Sequence, residues 1–309
     1  HPCGVRCSGR ARVRPRVLIL AALACAPAVA QELEPRAYSP APVGTTFVLV
    51  GSGGSSGDIL LDRSVHADGV EADLSFVSVG AGYTFRVLGH QARVLAVAPY
   101  AWGEITGTVG GQRARQDVSG FVDPRIKLSI GLRGAPALTP GEFTKTKRRA
   151  VVGASLTIAP PWGEYSPSQL VNLGYNRWAF KPEIGVSAPV GRWTLESYAG
   201  VWVYTDNHAY YPGEATRSQD PVASLQGHVA YTWKRGIWAA LDGTWFSGGE
   251  TKVDGAVSHD RQRNSRLGGT VSFPIAKGQS LKLSYSSGAA TRRGSDFDTV
   301  NLTWQLVRF

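Results

Sequence analysis

The sequence predicts an all-β protein: a transmembrane, antiparallel, up-and-down β-barrel of about twelve strands, preceded by an N-terminal signal peptide. Three observations support this fold class. Apolar and polar residues alternate along many segments, short and long connections follow each other in turn, and the chain begins with the features of an export signal. Alternation with a period of two is typical of strands, because successive side chains point to opposite faces.

The segment Arg125–Arg133 shows this alternation most clearly. Its Ile and Leu residues fall on one face, and its Arg, Lys, Ser and Gly residues fall on the other. A soluble two-sheet sandwich could bury such an apolar face and is the alternative fold. Because the pattern recurs along the chain with charges on the second face, we favour a closed barrel with lipid outside and a polar interior.

Composition and charge exclude nucleic-acid binding as an expected function. The chain has 33 basic and 23 acidic residues, a net charge of +10. The first 30 residues carry five arginines and no acidic residue, so the rest of the chain has 28 basic residues against 23 acidic ones. This smaller excess is dispersed and forms no basic stripe.

Residues 1–30 are predicted to be a secretory signal peptide, and residues 31–309 the barrel domain. Arginines up to Arg16 precede an apolar stretch at 17–29, and Gln31 follows small residues suited to cleavage. The alternatives are a membrane anchor, for which the stretch is short, and lipidation at Cys25. No Met occurs, so we interpret the leading residues as an overrun beyond the true translation start.

The cysteines also fit export through an oxidising periplasm to a bacterial outer membrane. Cys3, Cys7 and Cys25 all precede the predicted cleavage point, so the mature chain would contain none. A chain without cysteines cannot form mispaired disulfides during export. Its absence of thiols also excludes cysteine catalysis and thiolate metal sites in the mature protein.

About twelve candidate strands follow Gln31. Most are joined by a short connection and then by a longer one, as in outer-membrane barrels. We expect long loops at 53–70 and 107–120. Pro99, Pro160, Pro161 and Pro182 fall within or beside predicted strands, where we expect bulges or strand ends because proline lacks a ladder donor.

The last residue, Phe309, is a candidate assembly signal. A terminal aromatic residue is typical of outer-membrane barrels, so the predicted partners are the barrel assembly machinery, outer-membrane lipid and a small-molecule solute. Phe309 is out of phase with the outward-facing Trp304 and Leu306. We therefore expect either a bulge that turns Val307 and Phe309 outward or a frayed end.

No catalytic, cofactor-binding or metal site is predicted. Residues 53–57 match the G-x-S-x-G pattern of a hydrolase elbow, but no helix is predicted after them, so a Gly/Ser loop is preferred. The histidines lack metal-ligand spacing, and no phosphate-binding glycine loop is present. An outer-membrane hydrolase is kept as the less favoured alternative.

A set of side chains is predicted to line the lumen because they alternate with outward apolar residues. They are Arg125, Lys127, Lys181, Glu183, Glu196, Tyr198, Trp202, Tyr204, Gln226, His228, Asp242, Arg266 and Lys282. Charges of both signs leave two interpretations open: a packed, salt-bridged interior or a narrow path for solutes. As a hypothesis, Tyr198, Trp202 and Tyr204 stack on a planar solute, while Lys181 and Arg266 attract its anionic groups.

The chain resembles outer-membrane transporters of the "MetA-pathway of phenol degradation" family over nearly the whole mature sequence. Val122 stands where glycine is expected before Asp-Pro-Arg, which affects local turn geometry. The matching segments are Leu33-Glu34-Pro35-Arg36-Ala37-Tyr38, Asp123-Pro124-Arg125, Gly134-Ala135-Pro136-Ala137-Leu138, Asn172-Leu173-Gly174-Tyr175-Asn176-Arg177-Trp178, Phe180-Lys181-Pro182-Glu183-Ile184-Gly185, Thr205-Asp206-Asn207, Leu225-Gln226-Gly227-His228, Asn264-Ser265-Arg266-Leu267-Gly268 and Gly294-Ser295-Asp296-Phe297-Asp298.

The resemblance implies an outer-membrane β-barrel associated by name with uptake of aromatic compounds, and it carries over no catalytic residues. We therefore expect a passive channel or transporter for small molecules, with aromatic compounds as candidates and without a cofactor. A structural or ligand-binding barrel that transports nothing is the alternative.

Overall fold

The computed structural model describes residues 33–60, 67–109, 111–169, 171–211, 213–292 and 294–309. The predicted signal peptide at 1–30 lies outside these residues. The elements are β1 (Thr46–Leu60), β2 (Ala67–Val87), β3 (His90–Val109), β4 (Gln112–Phe121), β5 (Arg125–Arg133), α1 (Pro140–Lys145), β6 (Val151–Ala159), β7 (Ala179–Val190), β8 (Trp193–Tyr204), β9 (Asn207–Tyr210), β10 (Ala215–Gln219), β11 (Val222–Lys234), β12 (Ile237–Gly248), β13 (Thr251–Val253), β14 (Ala256–Val257), β15 (Gln262–Ala276), β16 (Gln279–Ala290) and β17 (Gly294–Arg308).

The large sheet closes on itself into a twelve-position antiparallel barrel, as predicted. β1 pairs with β2 on one side and with β17 on the other, and the pairing of β2 with β3 closes the ring. β4 and β5 share one position in the wall: β3 pairs with β4 towards one end of the barrel and with β5 towards the other. Among the described strands of this sheet, all except β4 pair with a neighbour on each side, and β4 pairs with β3 alone. Paired backbone is what a wall in lipid requires.

The outer face of the wall is apolar. Leu128 and Leu132 of β5 are exposed, as are Val79 of β2 and Leu241 of β12, which is 74% exposed. Large apolar side chains recur at this exposure around the ring, far beyond what a protein surface facing water would carry. The exterior therefore faces lipid, and the alternation predicted from Arg125–Arg133 is confirmed as the two faces of a membrane wall.

The glycine-rich segment expected as a loop at 53–70 is largely strand, so that expectation is wrong. β1 extends to Leu60, and Gly53 and Gly57 pair with both β17 and β2. Glycine is required here by close approach: a Cβ on Gly53 would lie 2.2 Å from the Val300 carbonyl oxygen. Glycine weakens strands on average, which is why composition suggested a loop. The G-x-S-x-G match at 53–57 lies within β1 and therefore forms no strand-to-helix elbow.

The loop expected at 107–120 is also mostly strand. β3 continues to Val109 and β4 begins at Gln112, so these strands form a hairpin beyond the barrel wall. Strands of up to 21 residues are about twice the 9–11 needed to cross a membrane. The first three barrel strands therefore project well past the lipid at the long-loop end.

The prolines lie where strand pairing is interrupted. At Pro99, β3 changes partner from β5 to β4, and the Val122 amide donates to the Pro99 carbonyl at 3.0 Å. Pro182 lies in a gap of the β7–β8 pairing, and Pro160 follows the end of β6. Pro99 and Pro182 thus lie where pairing is interrupted on one side of the strand, and Pro160 and Pro161 follow a strand end, as expected for a residue without a ladder donor.

The two ends of the barrel differ. Two-residue turns join β2 to β3, β7 to β8, β11 to β12 and β15 to β16 at one end, which also carries α1. The other end carries segment 160–178 and a small sheet of β9, β10, β13 and β14. We call them the short-turn end and the long-loop end; in outer-membrane barrels they face the periplasm and the outside respectively.

The last strand pairs in regular register with β1 up to Arg308, without a bulge. Phe309 follows the strand and is 69% exposed. Of the two expectations for the chain end, neither is met: the strand has no bulge, and its pairing continues to Arg308 without fraying. In the described part of the chain, no helix is both long and apolar enough to cross a membrane.

Candidate functional site

An N-terminal segment, residues 33–45, lies inside the barrel and is bonded to the wall. The backbone N–H of Arg36 donates to Glu196 Oε2 at 2.6 Å, and its guanidinium donates to Thr232 Oγ1 at 2.5 Å. Arg93 donates to the carbonyl oxygens of Ala37 and Ser39 at 3.3 and 2.8 Å. The segment has no regular structure of its own, so the wall supplies its backbone partners.

Tyr38 is the anchor of this segment. Its ring lies over Gly153 and Gly185, which pair with each other on β6 and β7. Its hydroxyl donates to Glu183 at 3.1 Å and is 3.0 Å from Ser155 Oγ. Burial raises the pKa of the Tyr38 hydroxyl, and the neighbouring Glu183 adds to this shift. The facing glycines leave the space that the ring fills.

Arg36 lies at the short-turn side of the same segment. Its guanidinium is 4.4 Å from the centre of the Trp238 ring. Burial lowers the pKa of Arg36 to about 10, and the positive charge of Arg148 adds to the shift, while Glu196 opposes it. The charges of Arg36 and Arg148 thus repel each other near the short-turn end.

Several predicted lumen residues form a buried ion network. Lys181 Nζ is 2.8 Å from Glu183 Oε2, and both side chains are almost completely buried. Lys127 contacts Glu34 at 2.7 Å and Glu183 at 3.5 Å, and Gln226 donates to Glu183 at 3.4 Å. This arrangement compensates charges that would otherwise be costly to bury.

Two further predicted residues form a separate buried pair. His228 Nδ1 lies 2.7 Å from Asp242 Oδ1, and Thr270 donates to the other oxygen of Asp242 at 3.0 Å. His228 Nε2 is buried without a hydrogen-bond partner in the described structure. No hydroxyl nucleophile is therefore bonded to this imidazole.

The three aromatic residues expected to stack on a solute are covered by protein. Tyr198 packs edge-on against Tyr38 at 5.0 Å, and Trp202 stacks on Tyr204 at 6.4 Å. Arg177 covers the Tyr204 ring at 4.3 Å. None of the three lines the cavity described next, so in this conformation the stacking hypothesis does not hold. Lys181 is likewise engaged by Glu183.

The other half of the interior contains a cavity of about 390 Å³. Its lining includes Arg125, Lys127 and Arg266 from the predicted set, with Glu34 of the N-terminal segment. Arg266 is held by the Phe297 carbonyl oxygen at 2.6 Å and by Ser286 Oγ at 3.0 Å. Arg266 is therefore held in position on β15, across the ring from Arg125 and Lys127 on β5. Lys282, on β16, is half-buried and lines no described cavity.

One side of this cavity, between the strands that carry the cations, is apolar and was missed by sequence reasoning. It is formed by Leu74, Phe76, Leu95, Val97 and Phe297. One signal was present: 94–98 reads Val-Leu-Ala-Val-Ala, apolar on both faces of β3 rather than alternating. A strand with two apolar faces in a barrel of this kind indicates an apolar patch on the inside.

Segment 160–178 folds against the wall at the long-loop end. Asp123 accepts hydrogen bonds from the backbone N–H groups of Gly163 and Tyr175 at 2.7 and 2.8 Å. Arg177 is buried and donates to Gln219. Burial lowers the pKa of Arg177 to about 10, and the charge of Arg217 adds to this shift. These contacts hold the segment beside the cavity, which Asp123 and Leu173 also line.

The described residues contain no group of three or more His, Cys, Asp or Glu side chains able to hold a metal ion. The lumen cavity has one apolar side and a few charged side chains, among them Glu34 of the N-terminal segment.

Comparison with known proteins decides the family. Residues 53–304 match the family described as "Putative MetA-pathway of phenol degradation". The chain belongs to this family. The crystal structure of the COG4313 outer membrane channel from Pseudomonas putida F1 has the same fold as this family member, with a TM-score of 0.76 at 20% identity, covering 90% of this chain and 100% of that one.

A second similar structure is the beta domain of the Bordetella autotransporter BrkA. It matches the present structure with a TM-score of 0.52 at 14% identity, over 85% of this chain and 99% of that chain. No curated protein matches the sequence. Together the matches and the lipid-facing wall identify an outer-membrane β-barrel.

Proposed function

We propose that this protein is a passive outer-membrane channel for small molecules, with aromatic compounds as solutes, and that it is not an enzyme. The supporting observation is the cavity of about 390 Å³ inside the barrel, which is apolar at Phe76 and Val97 and positively charged at Arg125 and Arg266. A small flat solute with a polar or anionic group matches this division. The family's name and the similarity to the COG4313 channel support the same proposal.

Under this proposal the interior has two parts, a solute path and a filled half, and the predicted lumen residues are divided between them. Arg125, Lys127 and Arg266 line the solute path, and the buried set around Glu183 and His228 holds the filled half closed. The lack of a nucleophile at His228 supports a channel over a hydrolase. We also propose that Phe309, exposed beyond β17, contacts the barrel assembly machinery.

The first prediction concerns flux. Purified protein in liposomes is expected to admit benzoate faster than empty liposomes do. Val97→Trp fills the cavity with a large side chain and should remove most of this flux. Val79→Trp is the matched control, because it makes the same change on the lipid-facing side of the wall, and it should leave the flux unchanged.

The second candidate is a ligand-binding barrel that transports nothing, which the bonded N-terminal segment inside the lumen favours. This candidate predicts benzoate binding without flux. Absence of flux above empty liposomes, with a correctly closed barrel, would overturn the channel proposal in its favour.

A further inference from the structure

A second cavity of about 310 Å³ lies at the short-turn end. Its walls come from four parts of the chain: the N-terminal segment at Ser39 and Pro40, the connection 134–150, the facing ends of β7 and β8, and the β11–β12 turn at Arg235. It is distinct from the lumen cavity, with which it shares no lining residue. Elements far apart in sequence therefore build one concave site.

The charge of this cavity is of one sign. Lys147, Arg148, Arg149 and Arg235 line it, and no Asp or Glu does. Among the described residues, none of these four cations has an ion-pair partner. Glu142, on nearby α1, is bonded to the backbone N–H and hydroxyl of Thr139 at 2.8 Å. The cavity thus presents uncompensated positive charge, which favours an anion.

A buried hydroxyl without a partner lies in the same cavity. Thr194 is 2% exposed, and its Oγ1 has no hydrogen-bond partner in the described structure. A buried polar atom left unpaired costs free energy, so such atoms commonly indicate a missing ligand or water. Ser187, also buried, lies on the neighbouring strand and lines the cavity.

The rest of the lining is apolar. Leu138 and Phe143 come from the connection 134–150, and Pro189 closes the side formed by β7. A ligand with a small apolar body and one anionic end would contact both kinds of surface. The volume is at the lower end of small-molecule pockets, so the body is limited to about one or two rings.

We propose that this cavity binds small organic carboxylates through Arg148, Arg149 and the Thr194 hydroxyl. A guanidinium presents paired N–H donors that match the two oxygens of a carboxylate, and the threonine hydroxyl supplies a further donor. The proposal that carboxylates bind here depends only on the lining of this cavity. Its role as the place where a solute leaves the barrel for the periplasm rests on the proposed function.

Bound carboxylate would also act on the N-terminal segment. Ser39 and Pro40 belong to the lining, and Arg36 is close enough to Arg148 for their charges to repel. An anion between these cations reduces the repulsion. Occupancy should therefore tighten the hold on the segment rather than loosen it.

The test uses the full-length protein in neutral detergent, titrated with benzoate and, in parallel, with neutral benzyl alcohol. Calorimetry or ligand-observed NMR reports the affinity. The Val97→Trp variant fills the lumen cavity, so saturable benzoate binding that persists in it belongs to the second site. Within that background, R148Q/R149Q should weaken binding about tenfold or more, because charged hydrogen bonds are lost.

Two further variants separate the site from general surface charge. Thr194→Val keeps the shape and removes only the unpaired hydroxyl, so it should weaken binding by about three- to tenfold without lowering stability. K277Q/R308Q removes two cations at the same end that do not line the cavity, and it should change binding little. Equal binding of benzyl alcohol, or equal loss in K277Q/R308Q, would overturn the proposal.

The outcome is separable from the proposed function. If benzoate binds at this site while wild-type protein admits none into liposomes, the site stands and the channel fails. If flux is present but no binding survives in Val97→Trp, the channel stands and the site is wrong. Preferential binding of phosphatidylglycerol in place of benzoate would make the cavity a lipid site and also overturn the proposal.

Discussion

Glu183 joins the wall of the barrel to the segment inside it. Its carboxylate contacts Lys181 at 2.8 Å and Lys127 at 3.5 Å, and accepts from the Tyr38 hydroxyl at 3.1 Å. Removing one partner of a buried ion pair leaves an uncompensated charge, which costs about 3–5 kcal/mol in proteins. Because a buried ion pair adds little net stability, the main effect of these contacts is to fix the position of the N-terminal segment in the lumen.

Gly185 provides the residue-scale prediction. A Cβ at this position would lie 2.2 Å from Tyr38 Cε2 and 2.8 Å from Tyr198 Cδ1. Gly185→Ala should therefore displace Tyr38 and lower the free energy of unfolding by about 1–3 kcal/mol, the cost of overpacking. The midpoint of urea unfolding in detergent measures the change.

Gly227→Ala is the matched control, because nothing lies within 4 Å of a Cβ added there and the position is exposed. It should leave the midpoint within the range of ordinary surface substitutions, about 0.5 kcal/mol. A similar loss in both variants would mean that glycine matters here for strand geometry and not for the Tyr38 ring.

Alternation predicted which side of the wall the lumen residues take, because side-chain direction in a strand follows from position alone. It could not predict their partners. His228 pairs with Asp242 across β11 and β12, whereas Lys181 and Glu183 pair within β7. Such choices depend on register between strands and on the segment that enters the lumen.

At the scale of elements, the N-terminal segment is the least expected part of the fold. Residues 33–43 were assigned to no helix or strand, and the sequence indicated only that residues 33–38 match a family motif. Their place is decided by contacts with six or more distant residues of the wall, such as Glu196 and Arg93. Contacts of that range cannot be inferred from local pattern.

The element-scale prediction is that removal of residues 33–40 increases single-channel conductance. This part of the segment supplies Tyr38, Arg36 and Glu34, which bond to the wall inside the lumen. The barrel strands begin at Thr46 and remain intact, so the protein should still fold. Planar-bilayer recordings measure the conductance.

A deletion of Asp254 and Gly255, in the exposed turn between β13 and β14, serves as the control. It shortens a segment at the long-loop end without touching the lumen, so the conductance should stay at the wild-type value. Unchanged conductance in the 33–40 deletion would show that the path does not pass this segment.

Strand extent was the weakest prediction at this scale. The Gly-rich stretch at 53–60 is strand because both neighbours in the ring offer backbone partners, and the polar stretch at 112–120 is strand because it pairs with β3. Local composition favoured loops there. Pairing in a closed sheet outweighs the weak intrinsic preference of glycine against strands.

The whole molecule is a closed wall with lipid outside, and this property gives the last prediction. A closed barrel resists SDS until it is heated, because strand pairing continues around the whole ring. Unheated protein should migrate differently from heated protein in SDS gels. Identical mobility together with solubility in the absence of detergent would contradict a membrane barrel and favour a two-sheet sandwich.

By itself, the sequence determined the membrane wall: its antiparallel strands, their number, and which side chains face lipid. These follow from a period of two, which is a local property of the backbone. Only the tertiary structure decided how the interior is divided. The apolar lumen cavity, the segment anchored by Tyr38 and the cationic cavity near Arg148 each combine residues far apart in sequence, and ring closure is what brings them together.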